Sequence, residues 1–341
     1  MEPLAARYDA FYEALRRADD DGARRHFLSI AGVRDATARS APGAPRALAA
    51  PLIRYEVPRA IDLVALRARA RDVAKFEDLP LKTARGLVEK LQREGLYTLT
   101  VGPYTRRMDV ALSVDDAPAE SAVTERYTVI ASRGNEAVYV ADAERDRTPE
   151  GTRRAGLALG YPRCCVKRFM AVEQGLEAAR DGVNEASLRA FLDTGAPPWE
   201  LNPLSDLSPV GFMPCRASCP AALAFARKVL AALERADPEA HARTRTVLSR
   251  PVLFVRYTLF WALDGAASRD GSVRYTRAVA QDDPSLGELA RWRDAYFGEA
   301  LAAGDTVAIE GGVMRVTRAG EPVAAWELTE PVTPRVVSWA G

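Results

Sequence analysis

Two short stretches contain every cysteine of the chain. Residues 160–165 read GYPRCC, and residues 212–220 read FMPCRASCP. Together they hold all four cysteines among 341 residues. Thiols used this sparingly, and only in two tight pairs, are expected to act together at one shared site. The pattern does not by itself assign a reaction to that site.

Proline placement predicts how the two pairs are presented. Proline is favoured at the first position of a helix, so Pro162 predicts a helix that ends near Gly175. Pro220 opens a second, alanine-rich helix and would put Cys219 at its N-cap. Helix N-termini favour negative charge and lower thiol pKa, and thiolate is the form that binds metal. The nearby basic residues are Arg163, Lys167, Arg168 and Arg216.

Composition excludes several classes of protein. A hydrophobic content of 48% and a charged content of 27% are ordinary for a globular protein, and 341 residues predict two or three domains. The net charge of +1 argues against nucleic acid as a partner. Residues 1–17 lack the apolar core of a signal peptide, and no run of about 18 apolar residues predicts a membrane span. Clustered cysteines without secretion signals predict a cytoplasmic protein.

The order of helical and strand patterns predicts an α+β protein. A mixed N-terminal domain would occupy residues 1–145, a helical domain carrying both cysteine pairs residues 146–250, and a β-rich part residues 251–341. Helical periodicity covers 61–73 and 81–92, and most of 152–249. Before the predicted boundary at 145, strand patterns cover 97–101, 108–114, 125–131 and 137–141.

Four hypotheses for the cysteine site remain open. The thiols could ligate a metal or an iron–sulfur centre, form reversible redox disulfides, form static disulfides, or be buried small apolar residues. An adjacent pair plus a C-x₃-C pair is not the spacing of a zinc ribbon. Neighbouring residues of a helix point about 100° apart, so a site with three thiolates is geometrically easier than one with four. A three-thiolate site would leave a position for substrate, whereas a closed four-thiolate site favours a structural or electron-transfer role.

The metal-binding hypothesis defines a set of candidate residues. Its ligands are Cys164, Cys165, Cys215 and Cys219, and its cofactor is an iron–sulfur cluster or zinc. The predicted surrounding shell consists of Tyr161, Arg163, Asn202 and Arg216. The two histidines, His26 and His241, are expected on solvated surfaces, although His241 is an alternative fourth ligand. A small-molecule substrate or a redox partner would fit such a site, and the sequence leaves the oligomeric state open.

The two cysteine stretches also carry a family resemblance. Gly-Tyr-Pro-x-Cys-Cys-Val-x-x-Phe at 160–169, followed by Pro-Cys-x-x-x-Cys at 214–219 and an alanine-rich helix, resembles an uncharacterised prokaryotic domain-of-unknown-function family. The resemblance covers about residues 150–235. It supports a shared thiol site and implies no particular reaction.

The leading functional hypothesis is therefore a metal- or iron–sulfur-binding protein, with oxidoreductase or tailoring chemistry as the enzyme class it would fit. Whether it is an enzyme stays open. The alternative is a winged-helix-like module for binding nucleic acid or protein, with the thiols as a structural cluster. Residues 79–97 resemble a recognition helix, and Arg106 with Arg107 would lie on the wing. Acidic residues such as Glu89 and Glu94 argue against a strong DNA footprint.

Overall fold

The computed structural model describes residues 4–36, 60–105, 125–146, 148–175, 183–205, 207–257, 259–280, 288–329 and 334–340. The helices are α1 (Leu4–Arg16), α2 (Asp20–Ala31), α3 (Ala60–Arg67), α4 (Leu81–Arg93), α5 (Glu136–Asp146), α6 (Pro149–Ala158), α7 (Arg163–Gly175), α8 (Val183–Leu192), α9 (Pro220–Ala236), α10 (Pro238–Leu248), α11 (Glu288–Arg293) and α12 (Glu299–Ala303). The strands are β1 (Val33–Ala36), β2 (Val73–Leu79), β3 (Tyr97–Thr105), β4 (Glu125–Ser132), β5 (Val252–Arg256), β6 (Leu259–Ala267), β7 (Val273–Ala280), β8 (Thr306–Glu310), β9 (Val313–Arg318), β10 (Glu321–Leu328) and β11 (Arg335–Val337). The α+β class is confirmed. None of the described helices is long and apolar enough to cross a membrane.

An eight-stranded antiparallel sheet, in the order β1-β10-β9-β8-β7-β6-β5-β11, forms the larger layer. At one end of this sheet both faces are covered. Along β5, Leu253 and Val255 join a hydrophobic cluster with α1, α2, α11 and α12. Val252 and Phe254 point the other way, into the cluster that contains Cys165 and Cys219. Because successive strand residues face opposite sides, β5 is buried throughout and supports the cysteine region directly.

A second, three-stranded antiparallel sheet has the order β2-β4-β3. Val129 and Ala131 of β4 pack against α4, whereas Ile130 packs against α5 on the opposite face. Helix α3 connects this unit to the cysteine region, because its Leu66 packs under the small sheet while its Ala65 joins the cysteine-containing cluster.

The described elements differ from the sequence-based expectation in two places. The stretch 137–141 is helical, not a strand, and its buried residues Ala137, Val140 and Ala141 follow the i, i+3, i+4 spacing of a helix. The expected helix over 61–73 ends at Arg67 and is followed by strand β2. The expected strand at 108–114 lies outside the described residues.

The division into domains at 145 and 250 stays a prediction. Helices α6 to α10 do fill most of the predicted helical segment, and strands β5 to β11 follow it. However, β1 pairs with β10, and Phe11 and Phe27 of the first two helices pack in the same cluster as Trp326. The first described segment is therefore part of the large-sheet layer and not of the small-sheet unit.

Candidate metal centre

Helix α7 presents Cys164 and Cys165 in its first turn. The carbonyl of Pro162 accepts hydrogen bonds from the backbone amides of Cys165 (2.9 Å) and Val166 (3.0 Å), so the helix begins next to the predicted proline. The preceding Gly160 has a φ of +75°, a left-handed conformation that allows the chain to turn from α6 into α7. The adjacent pair is thus fixed by a short, hydrogen-bonded turn.

Helix α9 presents Cys219 at its N-cap, as the sequence predicts. Pro220 occupies the first helical turn, and the Cys219 sulfur accepts a hydrogen bond from the Ala222 amide at 3.4 Å. The Cys219 amide donates to the carbonyl of Arg216 at 3.1 Å, which closes the turn between Cys215 and Cys219. Cys215 lies in that turn. A thiol at this position has replaced the usual hydroxyl or carboxylate cap.

The loop that carries Cys215 is held by two neighbouring segments. The Thr194 hydroxyl, just after α8, donates to the Phe191 carbonyl (2.6 Å) and accepts from the Ala217 amide (2.7 Å). The tail after β11 also contacts the loop, since the Ala340 amide donates to the Pro197 carbonyl at 2.8 Å. The loop that carries one cysteine pair is therefore anchored at several points along its length.

The four sulfur atoms converge although about 50 residues separate the two pairs. All four lie within 4.8 Å of one another. The Cys164 sulfur is 3.9 Å from that of Cys165 and 3.7 Å from that of Cys219, and the Cys165 and Cys219 sulfurs are 3.8 Å apart. The predicted convergence is confirmed, and the arrangement is compatible with a metal site. The clustered ligand set contains no histidine within the described residues, so His241 on α10 does not join it.

Exposure differs sharply among the four thiols. Cys165 and Cys219 are each only 1% exposed, Cys215 is half-buried, and Cys164 is exposed. All four are free of disulfides. The cluster therefore has a closed side within the hydrophobic cluster shared with β5 and an open side at Cys164.

Burial and mutual hydrogen bonding set the thiol pKa values apart. Burial raises the pKa of Cys165, with a smaller lowering contribution from the Cys215 backbone. Burial, together with the neighbouring Cys219 and Cys164, raises the pKa of Cys215 to about 11. Burial also acts on Cys219, but hydrogen bonds from the Ala222 amide and the other three thiols outweigh it and lower its pKa. Cys219 is thus the preferred position for negative charge in the metal-free cluster.

The predicted shell residues fall into three groups. Arg163 and Arg216 are exposed beside Cys164 and Cys215 in the sequence. Tyr161 is half-buried, and its ring stacks on Phe212 at a centroid distance of 4.8 Å. Asn202 is buried, and its side chain bonds to the Leu248 carbonyl (2.8 Å) and the Leu204 amide (2.9 Å). None of the hydrogen bonds described for Asn202 goes to a cysteine, so its contacts stabilise the loop.

A buried cation next to the site was not predicted from the sequence. Arg71 is 4% exposed and forms a buried ion pair with Asp62 of α3. Its guanidinium lies over the rings of Tyr161 (5.8 Å) and Phe225 (5.4 Å). Residues 62 and 71 come from the N-terminal half of the chain. Tyr161 immediately precedes α7, and Phe225 lies on α9. No spacing rule connects such distant positions, so only the tertiary fold reveals the contact.

The structure describes the predicted recognition helix but not the predicted wing. Helix α4 is present, and Lys82, Arg85 and Lys90 are exposed on it together with Glu89. Glu94 forms an ion pair with Arg67. The proposed wing residues Arg106 and Arg107 lie outside the described residues, so nucleic-acid binding, and the expectation against it, both stay predictions.

Comparison with known proteins does not assign the chain to a family. Searches against protein-family models, curated proteins and solved structures each find no match for this chain. The resemblance of the two cysteine stretches to an uncharacterised prokaryotic family therefore stays a prediction, and functional inference rests on the geometry of the four thiols.

Proposed function

We propose that the protein binds one metal ion, with zinc favoured, through the thiolates of Cys164, Cys165, Cys215 and Cys219. The sulfur triangle of Cys164, Cys165 and Cys219 carries this proposal, with sides of 3.7, 3.8 and 3.9 Å. In a tetrahedral site with metal–sulfur bonds of about 2.3 Å, neighbouring sulfurs lie about 3.8 Å apart. Three edges of the ligand tetrahedron thus have the required length without any movement of the side chains.

The same distances favour a single ion over an iron–sulfur cluster. In a four-iron cluster each thiolate binds a different iron, so the ligand sulfurs lie farther apart than two ligands of one metal. The four sulfurs, all within 4.8 Å of one another, are spaced more like the ligands of one metal ion than like those of such a cluster. An all-thiolate set suits zinc or a single iron, and zinc sites with four cysteines are closed, structural sites.

A structural role fits the position of the centre. Two ligands come from the first turn of α7 and two from the turn that leads into α9, so one ion would join two segments about 50 residues apart in the sequence. A single iron ion in place of zinc would permit a redox or tailoring activity at the same site. A cytoplasmic location belongs to the same proposal, supported by four free thiols in a cluster that a reducing compartment preserves.

Metal analysis of the full-length protein, purified anaerobically, tests the proposal. We expect about one zinc per chain, and cobalt substitution should give the absorption bands of tetrahedral thiolate coordination. Visible absorption with several irons and acid-labile sulfide per chain would replace this proposal by an iron–sulfur protein. Protein without metal, in which reconstitution under reducing conditions also fails, would refute metal binding.

A further inference from the structure

The segments that build the thiol cluster share an unusual charge composition. Residues 160–172 and 207–233 contain six basic residues and no Asp or Glu. The whole chain has 46 acidic residues in 341, so these 40 residues would carry about five acids at the average frequency. The first turns of α7 and α9 both lack an acidic residue, although acids are favoured at helix N-termini. Positive charge is thus concentrated in the two segments that carry the cysteines, in a chain whose net charge is +1.

Four of these cations are exposed and lie beside the clustered cysteines in the sequence or one helical turn after them. Arg163, Lys167, Arg168 and Arg216 are exposed, and none forms an ion pair within the described part of the chain. On α7, Lys167 and Arg168 follow the exposed Cys164 by three and four residues and so share its helix face. By contrast, Arg227 of α9 is already paired with Glu200 at 3.2 Å.

The negative charge of a bound metal centre does not neutralise these cations. Four thiolates around one divalent ion carry a net charge of about −2. The four side chains supply +4, and the two helix N-termini add about half a charge each. The sum leaves a surplus of about three positive charges next to Cys164. Exposed arginines without partners bind the forked oxygens of phosphate groups well.

We propose that the surface formed by Arg163, Lys167, Arg168 and Arg216 is a binding site for a phosphate-bearing small molecule, held beside the exposed Cys164. This inference rests on the proposed metal centre for its position and charge balance, and it adds the class of ligand. The thiol cluster supplies the buried floor of the site, and the basic side chains supply affinity for the anion. Because the cations are exposed, binding should weaken as salt is added.

Pyrophosphate is a suitable probe for the full-length, metal-loaded protein. Calorimetry should detect binding that weakens about tenfold in the double variant Arg163→Gln with Arg216→Gln. The matched control is Arg269→Gln with Arg315→Gln, which removes the same charge from exposed positions on the large-sheet side. The control should bind pyrophosphate like the wild type.

A second readout locates the bound anion. Pyrophosphate at saturating concentration should slow alkylation of Cys164 by iodoacetamide at least severalfold, as measured by peptide mass spectrometry, and the Arg163→Gln, Arg216→Gln variant should lose this protection. Absence of pyrophosphate binding, equal weakening by the control pair, or unchanged Cys164 alkylation would each overturn the proposal. Metal content measured on the same samples separates the anion site from the metal centre. Failure to bind pyrophosphate at full metal occupancy refutes only the anion site. Lack of metal in the samples refutes the metal centre.

Discussion

At the scale of single residues, the four cysteines are not equivalent, and their substitution should be graded. Ser substitution of Cys165, Cys215 or Cys219 should lower metal affinity by about a hundredfold or more, since even outer-shell changes cost 10–100-fold. Cys164→Ser should be milder, because this thiol is exposed and water can replace it. Metal content after dialysis against a competing chelator ranks the four variants. A Cys164→Ser variant that loses metal as completely as Cys165→Ser would contradict this order.

Cys219 has a second role that a matched pair of variants separates from ligation. Its sulfur caps α9 through the Ala222 amide, and serine is among the best N-cap residues whereas alanine is poor. Cys219→Ser and Cys219→Ala should therefore lose metal equally, but the alanine variant should lose about 1 kcal/mol more stability in the metal-free state. Urea unfolding of both metal-free variants measures this difference.

The thiol pKa values predict a steep dependence of metal binding on pH. Burial raises the pKa of Cys165 and Cys215, so both thiols are protonated near neutral pH in the metal-free protein. Metal must displace at least these two protons, and acid therefore opposes binding. The apparent affinity should fall at least about 100-fold for each pH unit below neutral. Competition with a chromophoric chelator at about pH 6, 7 and 8 measures the slope, and a slope near zero would contradict thiolate ligation.

At the scale of elements, the site depends on how the loop that carries Cys215 is held. Thr194 joins the end of α8 to this loop by accepting a hydrogen bond from the Ala217 amide. Thr194→Val removes the acceptor and should cost about 1–2 kcal/mol of stability and about tenfold in metal affinity, although no ligand is changed. The control is Thr246→Val, an exposed helical residue whose hydroxyl bonds to its own helix, where we expect less than about 0.5 kcal/mol and unchanged metal affinity. Equal effects of the two substitutions would show that the loop anchor is unimportant.

The same scale explains what sequence patterns could predict. Pro162 and Pro220 are local signals that predict the starts of α7 and α9, and the structure confirms both starts. The strand predicted at 137–141 is wrong: Val138, Tyr139 and Val140 have high strand propensity, whereas packing of Ala137, Val140 and Ala141 on the small sheet selects a helix. Helical geometry alone also predicts that the side chains of Cys164 and Cys165 point about 100° apart, which disfavours a site that uses both. The two sulfurs nevertheless lie 3.9 Å apart, and the Cys219 sulfur completes a triangle with them at 3.7 and 3.8 Å.

At the scale of the whole molecule, buried charges connect the cysteine region to the layers on both sides of β5. Arg189 of α8 donates to the Val255 carbonyl at 2.9 Å, and Arg256 of β5 donates to the Ile30 carbonyl of α2 at 2.8 Å. Glu185 of α8 lies between these two arginines as their common counter-ion. Loss of the carboxylate would leave buried cations without compensation, so this network resists separation of the cysteine region from the sheet.

Removal of the metal should therefore destabilise both hydrophobic clusters that share strand β5. Val252 and Phe254 pack with the cysteine cluster while Leu253 and Val255 pack with α1 and α2, so the two clusters share one strand. A ligand present at about 1,000 times its dissociation constant stabilises the folded state by about 4 kcal/mol, which corresponds to roughly 5–10 °C in melting temperature for a chain of this size. Chelation should lower the melting temperature by this amount in a single transition, seen alike by far-UV circular dichroism and by tryptophan fluorescence. Re-addition of zinc should restore it. If chelation instead splits the melt into two transitions and the upper one does not move, the large sheet folds independently of the thiol centre.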